Sequence, residues 1–343
     1  MTSVAIIGGG AFGTAMACAA RRARLDVKLW ALEKEVVSAI NGGLGNPYYL
    51  RGTPLESGII AVTSLSEAVA GAEFALLAPP AQHMRGVAER LRTELRPRTP
   101  IVSCSKGIER GTCALMPEVI TEAVPGATTL VLAGPSFAAE VARDLPTGVT
   151  LACADRSVAG SIALALSSKN FRIYTSDDPV SATVGGAFKN VLAIACGVAL
   201  GRGMGENVRA LLIARGFYEM ARISRAKGGN PLNLLGLAGA GDVTLTCMGS
   251  QSRNLIFGIE LGKGRSAAEV LASRREVTEG VHNAASFTEL GKKLGVETPI
   301  AAAIDQIANH AAPIEKTFEQ LLSRSTGHEL GELTLTADAE VSV

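Results

Sequence analysis

The chain has 343 residues, with 33 Lys and Arg against 32 Asp and Glu, a formal net charge of +1 and 47% hydrophobic residues. That apolar content at near-zero charge excludes a disordered chain. It also lacks the basic excess that binding a phosphate backbone needs, so no nucleic-acid partner is expected.

Two folded units are expected at this length. Apolar runs at 4–7, 27–30, 74–78, 101–104, 130–133 and 149–153 have the continuous character of strands buried on both faces. Helix-length stretches at 14–22 and 82–95 lie between them, which implies βαβ crossovers and a mostly parallel sheet. Residues 171–174 read as a last strand, closed by the turn-forming Thr175-Ser176-Asp177-Asp178-Pro179. From Val180 the β-rich runs stop and helical spacing takes over; Leu211, Ala214, Tyr218 and Ala221 mark one expected apolar face. The expected division is an α/β unit over 1–180, a doubly wound parallel sheet of Rossmann type, then a mostly α-helical unit over 181–325. The polar stretch 326–343 is expected to be a frayed tail.

The apolar N-terminus lacks a positive leading segment and is broken by glycines, so it does not read as a signal peptide. No stretch reaches about 18 uninterrupted apolar residues, and no membrane span is expected. The six cysteines (18, 104, 113, 153, 196 and 247) form no CxxC pair and have no nearby histidine. They read as reduced, with no metal site, in a cytoplasmic protein.

Gly8-Gly9-Gly10-Ala11-Phe12-Gly13 satisfies G-x-G-x-x-G between an expected strand and an expected helix. Gly8 permits the tight turn, Gly10 lets backbone approach a diphosphate, and Gly13 allows close packing of helix on strand. The helix start then offers N–H groups to the anion. Glu33 follows Gly13 by 20 residues, the distance at which an acidic residue accepts from a ribose hydroxyl. Its neighbour Lys34 would instead suit a 2′-phosphate, so NAD and NADP both stay open.

Further clusters stand at Ser105-Lys106-Gly107, Gly134-Pro135-Ser136, Phe188-Lys189-Asn190, Gly239-Ala240-Gly241-Asp242 with Thr246, and Ser252-Arg253-Asn254. Two lie near strand ends and the others in the helical half, which suggests one site shared between units. With GGGAFGTAMA, NPYYLRGTPL, SKGIERGT, AGPSFAAEVA, GGAFKNVLAIACGV, GDVTLTC, SRN and TEGV in order along nearly the whole chain, the sequence resembles the bacterial-type NAD(P)-dependent glycerol-3-phosphate dehydrogenases.

The resemblance implies reduction of dihydroxyacetone phosphate to sn-glycerol 3-phosphate, the backbone of phospholipids. It makes Lys189 the general acid/base and Asp242 the residue that orients it or holds a substrate hydroxyl. Ser252, Arg253 and Asn254 would grip the substrate phosphate, with Arg253 also near the cofactor; Lys106, Gly134, Ser136 and Thr246 complete the substrate contacts. Gly8, Gly10, Ala11, Phe12, Gly13, Glu33, Tyr49, Lys106, Ala138, Val277 and Glu279 fall on the cofactor side. Burial of Lys189 in an apolar helix should lower its pKa, and Asp242 could alternatively cap the following helix. Two departures are visible. Ala31-Leu32-Glu33 stands where family members often have an arginine, and Glu206 replaces a family Asp.

Competing readings are a dehydrogenase of 3-hydroxy acids or ketopantoate, and a non-catalytic NAD(H) sensor. The alanine-rich helical unit could bury a homodimer face.

Overall fold

Runs rich in Val, Ile, Leu and Ala fold into one sheet in the computed structural model, which describes residues 1–273 and 278–325. Its strands are β1 (Ser3–Ile7), β2 (Asp26–Trp30), β3 (Ile59–Val62), β4 (Phe74–Leu77), β5 (Ile101–Ser103), β6 (Thr129–Ala133), β7 (Thr147–Ala152) and β8 (Phe171–Ser176). They lie in the order β3-β2-β1-β4-β5-β6-β7-β8. Every neighbouring pair is parallel except β6 and β7. Strand order reverses between β1 and β4, the point at which such sheets hold ligands beyond the carboxyl ends of their strands. The strand β3 went unread in the sequence. It is only four residues long, Ile59-Ile60-Ala61-Val62, on the sheet edge with Ile60 53% exposed, so its apolar run is too short to mark a strand by itself.

The helix Ala11–Arg22 leaves the end of β1 at the glycine loop. A Cβ on Gly13 would stand 1.9 Å from the carbonyl oxygen of Gly8, so only glycine lets the helix start this close to the strand.

Among the described residues no strand follows Ser176. The helix Pro179–Gly201 forms the centre of the second half, with Asp178 capping it through Ser181 N at 2.9 Å. By length and composition it could cross a membrane, but 89% of its apolar window is buried inside the protein. It is a core helix, wrapped by Glu206–Ala226, Arg253–Gly262 and Glu279–Leu294.

The helix Glu206–Ala226 corrects the expected face. Leu212, Gly216, Glu219, Met220 and Ile223 point inward, whereas Leu211 is 48% exposed. Tyr218 lies between the guanidiniums of Arg215 and Arg222, 4.6 and 4.7 Å from its ring centroid. The true core face carries a glycine and a glutamate, so it looks polar in the sequence. Glu206 itself pairs with Arg209 one turn on at the surface.

Glu219 is 1% exposed and accepts from Ile300 N at 2.6 Å and Ala301 N at 3.4 Å. It thereby satisfies the start of the helix Pro299–His310 from a neighbouring helix. Burial pushes its carboxyl up to about 8, against the opposing effect of those N–H groups and of Arg222 and Arg324. A carboxyl raised in the fold binds its proton more tightly there, so stability should fall as pH rises from about 4.5 to about 8. The expected size is on the order of a few kcal/mol. Glu219→Gln should flatten that slope in urea unfolding measured across the window; an unchanged slope would assign the pH dependence to other groups.

Candidate active site

β1, β4, β5 and β6 run parallel, so the loops after them share one edge. These loops carry the glycine turn, Ala81, Lys106 and Gly134, and the helical half packs against them. Gly185 makes this approach possible: a Cβ there would lie 2.5 Å from the Ala238 carbonyl oxygen. The π-helical turn Leu237–Gly241 can therefore rest on the helix one turn before Lys189, and it delivers Asp242 at the start of the helix Asp242–Met248.

Asp242 has no exposed surface. Its Oδ1 accepts from Lys189 Nζ at 2.5 Å and its Oδ2 from Lys106 Nζ at 2.8 Å. Lys106 also donates to Gly134 O at 3.1 Å, to which Ser136 Oγ donates at 2.9 Å. The Lys106 ammonium lies 5.7 Å from the ring centroid of Phe12 in the glycine loop, within cation–π range. Asp242 does not serve as a side-chain cap of its helix; its carboxylate is taken up by the two ammonium groups.

Burial pulls the Lys189 ammonium down to about 7; Asp242 opposes that shift and the Lys106 charge adds to it. Behind the pair, the Cys247 thiol is held well above its ordinary value by a hydrogen bond with Cys196 and by burial. Thr246 stands one turn beyond Asp242, and its buried hydroxyl has no hydrogen-bond partner.

Ser252 caps the helix Arg253–Gly262 by accepting from Leu255 N at 3.2 Å. The Asn254 amide bridges within the protein, donating to Asn190 Oδ1 at 3.0 Å and accepting from Gly280 N at 3.1 Å. It thus ties the Lys189 helix to the start of Glu279–Leu294. Glu279 Oε1 accepts from Ala81 N at 3.1 Å, while its buried Oε2 has no partner. Burial raises its carboxyl, and the charge of Arg253 acts the other way.

Tyr49 and Glu33, both expected on the cofactor side, form their own pair. Tyr49 OH donates to Glu33 Oε1 at 2.7 Å, and this bond pushes the phenol up to about 12. Ala138 opens the helix Ala138–Ala142 after the Gly134 turn. Val277 and the tail 326–343 lie outside the described residues.

These residues fit a dinucleotide. A Cβ on Gly10 would meet no protein atom within 4 Å, so the loop leaves room beside a helix start with no side-chain cap, including at Ala11. The unpartnered Glu279 Oε2 supplies a polar atom at the other end.

Three asparagines hold the site's backbone together, and of these only Asn283 lies outside the motifs picked out in the sequence. Asn46 donates to Gly9 O at 2.8 Å and to Thr14 Oγ1 at 2.8 Å, bracing the glycine loop. Asn190 and Asn283 both donate to Lys106 O, at 3.3 and 3.0 Å. Asn46 and Asn190 stand in NPYYLRGTPL and GGAFKNVLAIACGV, but Asn283 carries no local signal beyond a single amide in its helix.

Comparison with known proteins agrees with this architecture. Residues 3–159 match the family model of the NAD-dependent glycerol-3-phosphate dehydrogenase N-terminus, and residues 178–319 match that of its C-terminus. A glycerol-3-phosphate dehydrogenase [NAD(P)+] of Rhodospirillum rubrum is 48% identical over 94% of this chain and 92% of its own. That of Parvibaculum lavamentivorans is 46% identical over 94% and 96%. The crystal structure of glycerol-3-phosphate dehydrogenase from Coxiella burnetii superposes with a TM-score of 0.90 at 33% identity, covering 94% of this chain and 99% of that one. A ketopantoate reductase from Ralstonia eutropha reaches only 0.59 at 17% identity, a likeness of fold alone. The chain belongs to the NAD-dependent glycerol-3-phosphate dehydrogenase family.

Proposed function

We propose that this chain catalyses the reversible reduction of dihydroxyacetone phosphate to sn-glycerol 3-phosphate with NADH or NADPH, Lys189 acting as the general acid/base. The observation that carries the reading is the buried Asp242 carboxylate holding one lysine ammonium on each oxygen, where the loop after β5 meets the helical half. The nicotinamide, when bound, supplies the hydride. Lys189 supplies the proton to the carbonyl oxygen as it becomes an alkoxide, and is left as a neutral amine that solvent recharges. Lys106 keeps a second positive charge at the same place, where a developing anion is stabilised without reorganisation. Asp242 holds both ammonium groups in place and keeps Lys189 protonated more strongly than burial alone would allow.

At the far end of the substrate, Arg253 offers a planar guanidinium to the phosphate, next to the Ser252 cap and the backbone of Asn254. The Asn254 side chain is already engaged, so its contribution comes through its main chain or by steadying Asn190. Arg253→Ala should raise the substrate KM by about tenfold or more, the size of one lost charge-assisted contact, with a smaller change in kcat; a change in kcat alone would refute the phosphate role.

Steady-state oxidation of NADH and NADPH, side by side, tests the activity. Turnover with dihydroxyacetone phosphate is expected, and turnover only with a 2-keto or 3-oxo acid would replace this reading with the ketopantoate-type one. Cofactor binding without turnover on any of these would leave the sensor reading. The six cysteines are free and buried, which supports placing the enzyme in the reducing cytoplasm, where its product would serve glycerophospholipid synthesis.

A further inference from the structure

The helix Glu279–Leu294 sends three polar side chains, spaced i, i+4 and i+7, against the loops of the α/β half. Glu279 meets Ala81, Asn283 meets Lys106, and Ser286 Oγ approaches Ile108 O at 3.5 Å. Asn283 lies at the centre of this stripe with no exposed surface. One N–H of its amide reaches Lys106 O at 3.0 Å and the other reaches Ala187 O at 3.0 Å, while its Oδ1 accepts from Ile108 N at 3.4 Å. A buried amide is tolerated when it is satisfied in this way and is costly otherwise. Its two acceptors are informative: one is the main chain of Lys106, and the other is the main chain two residues before Lys189. These segments belong to different halves of the molecule, and their side chains converge on Asp242.

We propose that Asn283 is a positioning residue for the reaction: by pinning the Lys106 loop to the Lys189 helix, it sets how closely the two ammonium groups approach across Asp242. The proposal rests on the acid/base reading of Lys189. Asn190 gives Lys106 O a second, longer bond at 3.3 Å, so loss of Asn283 should loosen the loop without releasing it. The groups facing Lys189 are the Asp242 carboxylate, the Lys106 ammonium and the Cys247 thiol. Of these, the Lys106 charge holds the Lys189 ammonium down. Withdrawing it makes Lys189 more basic.

The test is the pH profile of kcat in both directions for the full-length enzyme, its Asn283→Ala variant and its Ser286→Ala variant. Ser286→Ala removes the neighbouring weak bond and leaves Lys106 untouched. For Asn283→Ala, the alkaline limb of reduction and the acid limb of oxidation should both move to higher pH, by roughly half a unit or more. The kcat should fall by about tenfold, while the Kd for NADH, read by fluorescence titration, should stay within about twofold; the scale is that of a slightly misplaced acid/base. Ser286→Ala should keep the wild-type limbs. If Asn283→Ala does not fold, Asn283→Ser, which keeps one donor, should move the limbs in the same direction by less. Limbs that stay in place while thermal stability drops would overturn the proposal and leave Asn283 a packing residue. A wild-type limb that persists in the residual activity of Lys189→Ala would instead overturn the acid/base reading, and the positioning role with it.

Discussion

Lys189→Ala is expected to lower kcat for dihydroxyacetone phosphate reduction by about 100-fold or more, the scale of losing a positioned acid/base, while NADH still binds. The side chain of Lys189 is 8% exposed and bonds directly to a carboxylate with no exposed surface. A lysine in such a place cannot be replaced by bulk water. Burial draws its pKa down from the ordinary lysine range toward neutrality, which favours giving up the proton and taking it back, as reversible transfer needs. Reduction requires the ammonium, so its rate should be full below that pKa and fall as pH rises through it. Oxidation of glycerol 3-phosphate requires the neutral amine, and its rate should fall as pH drops through the same value. The mirrored limbs are measurable by steady-state kinetics in the two directions. Wild-type turnover in Lys189→Ala, or limbs that run the same way in both directions, would remove Lys189 from the chemistry. The variant should lose some stability, because it removes one partner of a buried ion pair, but less than a change at Asp242, because that carboxylate keeps its bond to Lys106.

Legibility in the sequence followed the range of the interaction. The strands around β1, β4, β5 and β6 are marked by apolar runs, and the glycine loop by its own spacing, because backbone sterics act locally. Edge strand β3 and the inner face of Glu206–Ala226 were not legible. In both, the local pattern is too short or too polar, and tertiary packing decides burial. The site follows the same rule. Lys189 and Asp242 could be singled out from ordered motifs, yet they are 53 residues apart, and Lys106 is 136 residues from Asp242. That a single carboxylate divides its oxygens between them depends on how the two halves dock. The Tyr49–Glu33 bond and the Asn46 brace of the glycine loop come from packing within the α/β half, and the Asn283 bridge from the docking of the halves; one sequence offers no paired variation to reveal them.

Asp242→Asn is expected to damage stability and catalysis together, and catalysis unequally in the two directions. The substitution keeps the size of the side chain and removes the charge between two ammonium groups held at 2.5 and 2.8 Å. Breaking a buried ion pair by removing one partner costs about 3–5 kcal/mol, an effect that urea or thermal unfolding would register. The fold can recover part of that cost by letting Lys189 lose its proton. Asp242 is the group that raises the Lys189 pKa against burial, so without it the alkaline limb of reduction should move to lower pH. At neutral pH Lys189 would then be largely neutral, and reduction would lose its proton donor as well as its alignment. Oxidation on the alkaline side would lose alignment alone, since a neutral amine is what it needs. Reduction at pH 7 should therefore suffer a larger fold-loss than oxidation at pH 9. Equal losses in both directions with an unmoved limb would mean that Asp242 aligns the site without setting the charge of Lys189. Unfolding indistinguishable from the wild type would contradict the burial of the pair itself.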